Sequence, residues 1–211
     1  MKIKYSKILF IINSLFFFYK NYKYSNKKIN INWKKQKYNR VDVINKIVKD
    51  NNFKSYLEIG CDNDEVFKNI HIEEKIGVDP IRGGNIRSTS DVFFSNNLKK
   101  FDLIFIDGLH TYKQSRKDFI NSNKFLNDGG IICFHDVIPL NWKEEHTPRV
   151  NNVWTGDVWK LAFELSITPD LSSYVIKLDH GIGIYRKNNA CKLLNQNYLY
   201  ISNKNFDFYY N

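Results

Sequence analysis

The sequence predicts an α/β fold in which a doubly wound, mostly parallel seven-stranded sheet ends in a C-terminal antiparallel hairpin. The first reason is a pair of continuous apolar runs at 101–106 and 131–135, because parallel strands buried on both faces have this pattern. The second reason is the helical pattern between them, which supplies the crossover that two parallel strands need. The third is a pair of closely spaced apolar segments at 174–178 and 182–185, which is typical of a hairpin.

The other elements follow from local patterns along the chain. Val41, Ile44 and Val48 have helical spacing, so an amphipathic helix is predicted at 41–50. Short apolar segments that stop at glycine or proline indicate further strands, and periodic or polar stretches indicate helices, turns and loops. These predictions are strands at 55–59, at 75–80 and after 84, helices at 64–70, 90–98, 112–126 and up to residue 165, a turn at 127–130, and a long loop at 138–153.

Length and charge divide the chain into three parts. At 211 residues it is long enough for one domain with a sizeable core. The patterns place this domain at 41–188, between a basic and apolar arm at 1–40 and an aromatic extension at 189–211. The arm carries eleven lysines and arginines and no acidic residue, which leaves the rest of the chain close to neutral. The domain therefore lacks the basic surface that nucleic-acid binding requires, and nucleic acid is not an expected partner.

The arm contains an apolar run at 8–18, which is too short to cross a bilayer because a helical span needs about 20 residues. Three explanations stay open. The run packs against the domain or a second copy in a homodimer, it lies in a membrane surface where the lysines of 1–28 attract anionic lipid, or it is an uncleaved targeting element. Cys61, Cys133 and Cys191 lack the spacing of a metal site and are expected to be reduced thiols, so the expected location is cytoplasmic, with membrane association as an alternative.

A nucleoside-binding pattern follows the first two predicted strands. Glu58 and Gly60 come at the end of the first strand, and Asp79 ends the second strand, 21 residues after Glu58. An acid at the end of the second strand of such a sheet is placed to accept both ribose hydroxyls of an adenine nucleoside. This spacing fits both NAD and S-adenosylmethionine, so the local charge has to decide between them.

The charge of the loop after the first strand favours S-adenosylmethionine. The loop carries four carboxylates, at Glu58, Asp62, Asp64 and Glu65. They would repel a pyrophosphate, which needs bare backbone N–H groups and the positive end of a helix, whereas they suit a sulfonium and an ammonium group. Three alternatives are less favoured: an NAD oxidoreductase, an acidic turn with no cofactor, and the Asp-x-Asp metal pair of a glycosyltransferase at 62–64.

Aspartate and histidine side chains follow the two longest apolar strands. Asp107 and His110 come after the first of them, and His135 and Asp136 end the second. We call these four residues the Asp/His rim, because ligands bind at the carboxyl ends of parallel strands. His110 is the first candidate for a general base, since an unperturbed histidine has a pKa of about 6.5, and His135 is the second. Asp107 is predicted to orient a histidine or to bind Mg²⁺, with capping of the next helix as its structural alternative.

The ordered set of these motifs resembles class I S-adenosylmethionine-dependent methyltransferases, and more narrowly the bacterial sugar and small-molecule O-methyltransferases with IDGxH and HD motifs. The resemblance covers roughly residues 40–186 and implies the Rossmann-like methyltransferase fold. The segments that carry it are Tyr56-Leu57-Glu58-Ile59-Gly60, Gly77-Val78-Asp79-Pro80, Ser90-Asp91-Val92-Phe93-Phe94, residues 101–112, residues 129–139, Gly156-Asp157-Val158-Trp159-Lys160 and Asp179-His180-Gly181-Ile182-Gly183-Ile184.

The resemblance also implies roles for individual residues. Relatives that need a metal bind Mg²⁺ through acids at the positions of Asp107 and Asp136, and some use a histidine at the position of His110 as base. This chain departs from the pattern at His135, where several of those relatives have a second acid. The implied cofactor-binding residues are Glu58, Gly60 and Cys61 around the methionine moiety, Asp79 and Pro80 at the ribose, Ser90 and Asp91 near the adenine, and Asp107 at the strand end.

Together the residues and the resemblance predict a transferase that moves a methyl group from S-adenosylmethionine to a sugar hydroxyl of a glycan or its precursor. Histidine is the expected general base, and the use of Mg²⁺ as an additional cofactor stays open. The alternatives are a non-catalytic S-adenosylmethionine-binding protein and a metal-dependent hydrolase that uses the Asp/His rim. Trp142 is the candidate acceptor contact in the long loop, whereas Trp154 and Trp159 are expected to pack and Asp157 to cap the helix that follows it.

Overall fold

Seven strands form one sheet in the computed structural model, which describes residue 12 and residues 27–169, 171–187 and 198–211. The strands are β1 (Ser55–Ile59), β2 (Glu74–Asp79), β3 (Ile86–Arg87), β4 (Phe101–Ile106), β5 (Leu126–His135), β6 (Ser172–Ile176) and β7 (Ile182–Arg186). Their order is β3-β2-β1-β4-β5-β7-β6. Strand β7 runs in the opposite direction to the other six. The predicted fold class, including its antiparallel hairpin, is confirmed. The order reverses between β1 and β4, which is where such sheets bind ligands.

Seven helices of the described residues connect or flank these strands. Five of them begin at side-chain caps, and two of these caps lie next to the ends of central strands. Asn39 accepts hydrogen bonds from the N–H groups of Val41 and Asp42, and Thr111 accepts one from the N–H of Gln114. The second cap fixes the start of a helix directly after the Asp/His rim residues that follow β4. The helices are α1 (Arg40–Asn51), α2 (Ser90–Asn96), α3 (Tyr112–Lys124), α4 (Trp142–Glu145), α5 (Trp159–Ser166), α6 (Tyr198–Ser202) and α7 (Phe206–Tyr210).

Strand β4 is buried on both faces, which explains its continuous apolar sequence. Ile104 and Ile106 belong to an apolar cluster that includes α3 and α5, whereas Leu103 and Phe105 belong to a second cluster that includes α1. These four side chains are at most 3% exposed. Since burying one such side chain stabilises a protein by about 1.5–3 kcal/mol, the central strands form a firm support for the residues at their ends.

The helix predicted at 64–70 is wrong, because only a short 3-10 turn forms there, at Phe67–Asn69. In the sequence, Asp64 stands where it could cap this helix. In the structure the Asp64 carboxylate instead accepts a hydrogen bond of 2.6 Å from the backbone N–H of Gly84. The side chain therefore ties the loop after β1 to the turn after β2 and does not cap a longer helix.

Two further local predictions need correction. The turn predicted at 127–130 belongs to β5, since the N–H of Lys187 donates to the carbonyl of Gly130 and extends the pairing with the end of β7. A register shift between β4 and β5 takes up the additional residues. The loop predicted at 138–153 contains the short helix α4, which Asn141 caps.

The described end of the N-terminal arm packs against the domain. The N–H of Ile29 donates to the carbonyl of Leu140 at 2.9 Å, and the side chain of Gln36 accepts from the N–H of Asp179 at 3.0 Å. Residues 27–40 therefore lie across the turn between β6 and β7, next to the carboxyl ends of the central strands.

The remainder of the arm and part of the extension are outside the described residues. This applies to the apolar run at 8–18, apart from Ile12, and to Cys191. Cys61 and Cys133 are buried free thiols, as expected. Among the described residues, no helix has the length and apolar character needed to span a membrane.

Candidate active site

One cavity lies at the carboxyl ends of β1, β2, β4 and β5. Its volume is about 830 Å³, and sites for small molecules and cofactors commonly have volumes of about 300–1,000 Å³. The sheet thus joins the cofactor-binding loop and the Asp/His rim in one continuous space. Every site residue predicted from the sequence lines it: Glu58, Gly60, Cys61, Asp79, Pro80, Ser90, Asp91, Asp107, His110, His135 and Asp136. We call the part lined by residues 58–62, 79–80 and 90–91 the loop end.

Glu58 is a buried acid at the loop end, one residue before the end of β1. Its side chain is 1% exposed and accepts a 2.6 Å hydrogen bond from the hydroxyl of Tyr56. Burial, with the charge of Asp107 as a smaller contribution, raises the pKa of Glu58 to about 8. A cation placed beside this side chain would favour its ionised form.

Gly60 joins the loop end to the Asp/His rim. It has a φ of +88°, and a Cβ atom at this position would lie 2.2 Å from the carbonyl oxygen of Asp107. A side chain is therefore excluded both by the backbone conformation and by the close approach of the two strand ends. The glycine lets the first loop lie directly against the end of β4.

The four loop acids predicted to attract a cationic cofactor have different surroundings. Asp64 faces the glycine turn after β2, which lowers its pKa through a backbone hydrogen bond. Two of the lining acids have basic partners, since Asp62 pairs with Arg82 and Glu65 pairs with Arg40. The negative charge of the loop end is therefore partly offset within the chain. Of the four loop acids, Glu58, Asp62 and Glu65 line the cavity, and Asp64 does not.

Asp79 shapes the loop end through backbone hydrogen bonds. It ends β2 and accepts from the N–H groups of Asp62 at 3.1 Å, Ile81 at 2.7 Å and Arg82 at 2.9 Å. Burial opposes ionisation of this carboxyl, but the backbone donors lower its pKa below the usual value. Asp79 holds the loops after β1 and β2 together, and its contact with a ribose stays a prediction.

Sequence reasoning missed a polar network at the far side of the loop end. Gln114 donates to the hydroxyl of Ser90 at 3.2 Å and to the carboxyl of Asp118 at 3.0 Å. Asp118 is 1% exposed, and burial raises its pKa to about 6. The available signal was the spacing of four residues between Gln114 and Asp118, which places both on one face of α3.

The Asp/His rim brings three metal-binding side chains together. Asp107, His110 and Asp136 each offer a ligand atom, and these atoms lie within 4.8 Å of one another. The parallel pairing of β4 with β5 places the two strand ends side by side. Asp136 has a φ of +63°, a left-handed conformation that turns the chain sharply at the end of β5.

His110 has a defined orientation in this cluster. Its Nδ1 lies 2.9 Å from the carbonyl oxygen of Trp154 and 3.0 Å from the carboxylate of Asp136. A nitrogen between two acceptors has to carry the proton, so Nε2 is the nitrogen left to accept one. Nε2 lies 3.6 Å from Asp107. Burial opposes protonation, but the hydrogen bond with Asp107 and the charge of Asp136 raise the pKa of His110 to about 9.

His135 is more enclosed than His110. It is 6% exposed, its Nε2 lies 2.5 Å from the carbonyl oxygen of Asp179, and its Nδ1 lies 3.4 Å from Asp107 and 3.5 Å from Asp136. Burial opposes protonation, but the charges of Asp136 and Asp107 raise the pKa of His135 to about 9. Because both nitrogens face acceptors, this histidine is suited to hold the two carboxylates in place.

Arg40 is the main residue of the site that sequence reasoning missed. Its guanidinium pairs with Asp179 at 2.9 Å and with Glu65 at 3.0 Å, and its Nε lies 3.8 Å from Asp107. In the sequence, residue 40 falls in the arm rather than in the domain. The only signal was its place directly before the amphipathic helix at 41–50, which does not reveal its contact with a turn near residue 179.

The donor atoms of the Asp/His rim fit a divalent cation, and the number of rim residues that bind it depends on which metal it is. The carboxylates of Asp107 and Asp136 are ligands of the kind that Mg²⁺ prefers. The imidazole of His110 is a ligand of manganese, iron or zinc more than of magnesium. The residues therefore fit Mg²⁺ through the two carboxylates, with His110 beside the ion rather than bound to it.

The structure also places the tryptophans and Asp157. Trp154 lines the cavity and stacks on His110, with ring centroids 5.3 Å apart, whereas Trp142 is not among the lining residues and Trp159 packs in the core at 1% exposure. The prediction that Asp157 caps its own helix is wrong. Its carboxylate accepts from the N–H of Tyr112 at 2.6 Å and so holds the start of α3.

Comparison with known proteins gives one family and one short sequence match. Residues 43–137 match a family model described as a methyltransferase domain. An uncharacterised protein, R132 of Acanthamoeba polyphaga mimivirus, is 38% identical over 52 residues. This match covers 25% of the chain and 24% of that protein, so the chain spans about a quarter of its curated relative.

Solved structures show the same fold at low sequence identity. The O-methyltransferase from Bacillus cereus in complex with SAH has a TM-score of 0.50 and 13% identity, over 70% of this chain and 80% of that chain. TomG, an O-methyltransferase from Streptomyces achromogenes involved in tomaymycin synthesis, in complex with SAM, has a TM-score of 0.52 and 10% identity, over 71% and 80%. The likeness covers the Rossmann-like sheet together with its antiparallel last strands.

Proposed function

Because the chain carries a methyltransferase domain and the fold of class I S-adenosylmethionine-dependent methyltransferases, we propose that it is an O-methyltransferase acting on a sugar hydroxyl of a glycan or its precursor. The observation that carries the proposal is the single cavity that joins an acidic loop end to His110, whose Nδ1 lies between two acceptors and whose Nε2 lies 3.6 Å from Asp107. A volume of about 830 Å³ accommodates a nucleoside cofactor together with a sugar-sized acceptor.

The loop end supports S-adenosylmethionine as the methyl donor. The sulfonium and ammonium groups of this cofactor are cations, and Glu58 is the most deeply buried acid that lines the loop end. A pyrophosphate in the same position would face Glu58, Asp62 and Glu65 without a positive helix end to offset them. The two solved structures described above were determined with SAM or its product SAH (S-adenosylhomocysteine).

His110 acts as the general base of the proposed reaction. The acceptor hydroxyl transfers its proton to Nε2 of His110 while the oxygen attacks the methyl carbon, and the carbon–sulfur bond electrons remain on the sulfur of SAH. The carbonyl of Trp154 and the carboxylate of Asp136 hold the Nδ1 proton and stabilise the imidazolium that forms. A positioned base of this kind accelerates a reaction by about 10²–10⁴-fold.

Mg²⁺ has a secondary place in this proposal. Asp107 and Asp136 would hold it, and a bound cation would polarise the acceptor hydroxyl and lower its pKa. Arg40 and His135 hold these carboxylates in position from the other side. A second candidate function, a metal-dependent hydrolase, is favoured by the same cluster of Asp107, His110 and Asp136.

The test is a pair of measurements on the purified chain. Calorimetry should show binding of SAH, and a radiolabelled methyl group should pass from S-adenosylmethionine to a sugar acceptor. His110→Asn should lower turnover by about 10²-fold or more while the Kd for SAH changes by less than about twofold. His71→Asn, on the surface, is the matched control and should have no effect. Binding of NAD in place of SAH would overturn the proposal, and hydrolysis that needs metal but no S-adenosylmethionine would favour the hydrolase.

A further inference from the structure

We propose that Arg149 binds an acidic group of the acceptor, a phosphate or a carboxylate, and so sets the acceptor class of the cavity. This inference rests on the proposed methyl transfer and adds the chemical nature of its second substrate. It concerns a residue on the loop between α4 and α5, which neither the sequence motifs nor the fold relates to the methyl donor.

Arg149 lies at the same end of the cavity as the proposed base. Its guanidinium carbon is 5.9 Å from the ring centroid of Trp154, and the Trp154 ring stacks on His110 with centroids 5.3 Å apart at 25°. All three side chains line the cavity. One aromatic ring therefore connects the guanidinium and the imidazole, so an acceptor that places its hydroxyl at His110 extends towards Arg149.

The guanidinium is held in a fixed position by its own loop. Its Nε donates to the carbonyl of Asn151 at 2.8 Å, and its Nη2 donates to the carbonyl of Asn152. Within the described part of the chain, no hydrogen bond from Nη1 is present. The planar guanidinium thus has a fixed orientation, and its remaining N–H groups can donate to a ligand. This arrangement matches the geometry of a carboxylate or a phosphate.

A comparison with the other two arginines that line the cavity supports this role. Arg40 pairs with Asp179 and Glu65, and Arg82 pairs with Asp62. Among the described residues, Arg149 has no carboxylate partner. Its charge is therefore available to a ligand, whereas the charges of the other two are used within the chain.

The charge of the cavity explains why such a residue would be needed. Carboxylates dominate the loop end, so an anionic acceptor experiences repulsion wherever it approaches the cofactor. The guanidinium of Arg149 beside Trp154 offsets this repulsion where the acidic group binds, and so orients the neutral hydroxyl towards His110. A neutral acceptor would gain nothing from this arginine, which makes the charge of the acceptor the quantity to test.

The first experiment measures binding of simple anions to the complex with SAH, by tryptophan fluorescence, because Trp154 contacts Arg149 directly. Inorganic phosphate or acetate should bind saturably, and Arg149→Gln should weaken this binding by at least about tenfold. Phosphate alone indicates a phosphorylated acceptor, and acetate alone indicates an acidic sugar. Arg186→Gln is the matched control, because this arginine bonds to Gly129 and Asn51 at the other end of the strands, and it should leave binding unchanged.

The second experiment measures methyl transfer to glucose, glucuronic acid and glucose 6-phosphate. Arg149→Gln should raise the KM of an acidic acceptor by about tenfold or more, with kcat and the Kd for SAH little changed. Absence of saturable anion binding, or equal binding by wild type and Arg149→Gln, would overturn the inference while SAH binding still supports the methyltransferase. Failure of SAH to bind would instead overturn the proposed function itself.

Discussion

The two ends of the cavity are built in different ways. At the loop end, Asp79 bonds to backbone N–H groups of the loops after β1 and β2, those of Asp62 and Ile81. At the Asp/His rim, side chains from distant segments bond to one another, as His110 does with Asp136 and with the carbonyl of Trp154. The loop end therefore depends on the backbone geometry of two neighbouring loops, whereas the rim depends on side chains that the sheet brings together. Substitutions at the two ends should therefore separate cofactor affinity from turnover.

The largest effect is expected where the two ends meet, at Gly60. In Gly60→Ala the added Cβ would lie 2.2 Å from the carbonyl oxygen of Asp107, at a φ of +88°. We expect a loss of more than about 3 kcal/mol in the free energy of unfolding, measured with urea, together with loss of SAH binding. Gly129→Ala is the control, since it has a φ of +75° with no atom within 4 Å, and it should cost only about 1 kcal/mol. An equal loss of unfolding free energy in the two variants would show that residue 60 and the carbonyl of Asp107 are not in close contact.

A smaller and more selective effect is expected from Asp136→Asn. The substitution removes the charge that holds the Nδ1 proton of His110, so turnover should fall by roughly 10²-fold while the Kd for SAH stays within about twofold. With the pKa of His110 at about 9, the rate should rise with pH up to that value, because the base has to lose its proton first. The substitution should move this limb of the pH–rate profile to lower pH. Asp128→Asn, which changes an exposed residue, is the control and should leave the pH–rate profile unchanged.

The affinity of the loop end for S-adenosylmethionine is expected to depend on pH. Burial raises the pKa of Glu58 to about 8, and a cationic donor favours the ionised carboxylate, so binding of S-adenosylmethionine should release a proton. Affinity should therefore rise with pH up to about 8, by at most about tenfold per pH unit, and then level off. Calorimetry in buffers of different ionisation enthalpy measures this proton.

Glu58→Gln should bind the donor more weakly and with a flat pH profile. Asp62→Asn is the matched control, because it removes an exposed acid from the same loop end, and it should lower affinity equally at every pH. A wild-type profile that is already flat would show that Glu58 does not face the donor.

The contrast between the ends also explains what the sequence could predict. The strands were predictable because apolar residues such as Ile104 and Leu103 fill both faces of β4. The members of the Asp/His rim were predictable because they directly follow the strands whose ends form the cavity. Their roles stay predictions. Arg40 and Asp179 were missed, because the segments that carry them are far apart in sequence and meet only after the arm packs on the last hairpin.

The wrong predictions of a turn at 127–130 and of a helix at 64–70 also come from contacts between segments that are distant in sequence. Residues 127–130 look like a turn, but they belong to β5, and the carbonyl of Gly130 accepts from the N–H of Lys187, directly after β7. Asp64 looks like a helix cap, but the N–H of Gly84 is the donor that reaches it. In both cases a partner distant in sequence replaces the local one that a pattern assumes.

The smallest effect concerns Asp118, a buried acid on α3 beside the loop end that the sequence did not reveal. Burial raises its pKa to about 6, so the folded state favours the neutral carboxyl. Its contribution to stability is fully present below the unfolded pKa of about 4 and is lost as the pH rises through about 6. Asp118→Asn should therefore leave stability unchanged at low pH and increase it near neutrality, by on the order of 1 kcal/mol. Urea unfolding at both pH values measures the difference, and a loss of stability near neutrality would mean that Asp118 is ionised in the folded protein, held by Gln114 and Ser90 as a charged part of the cofactor site.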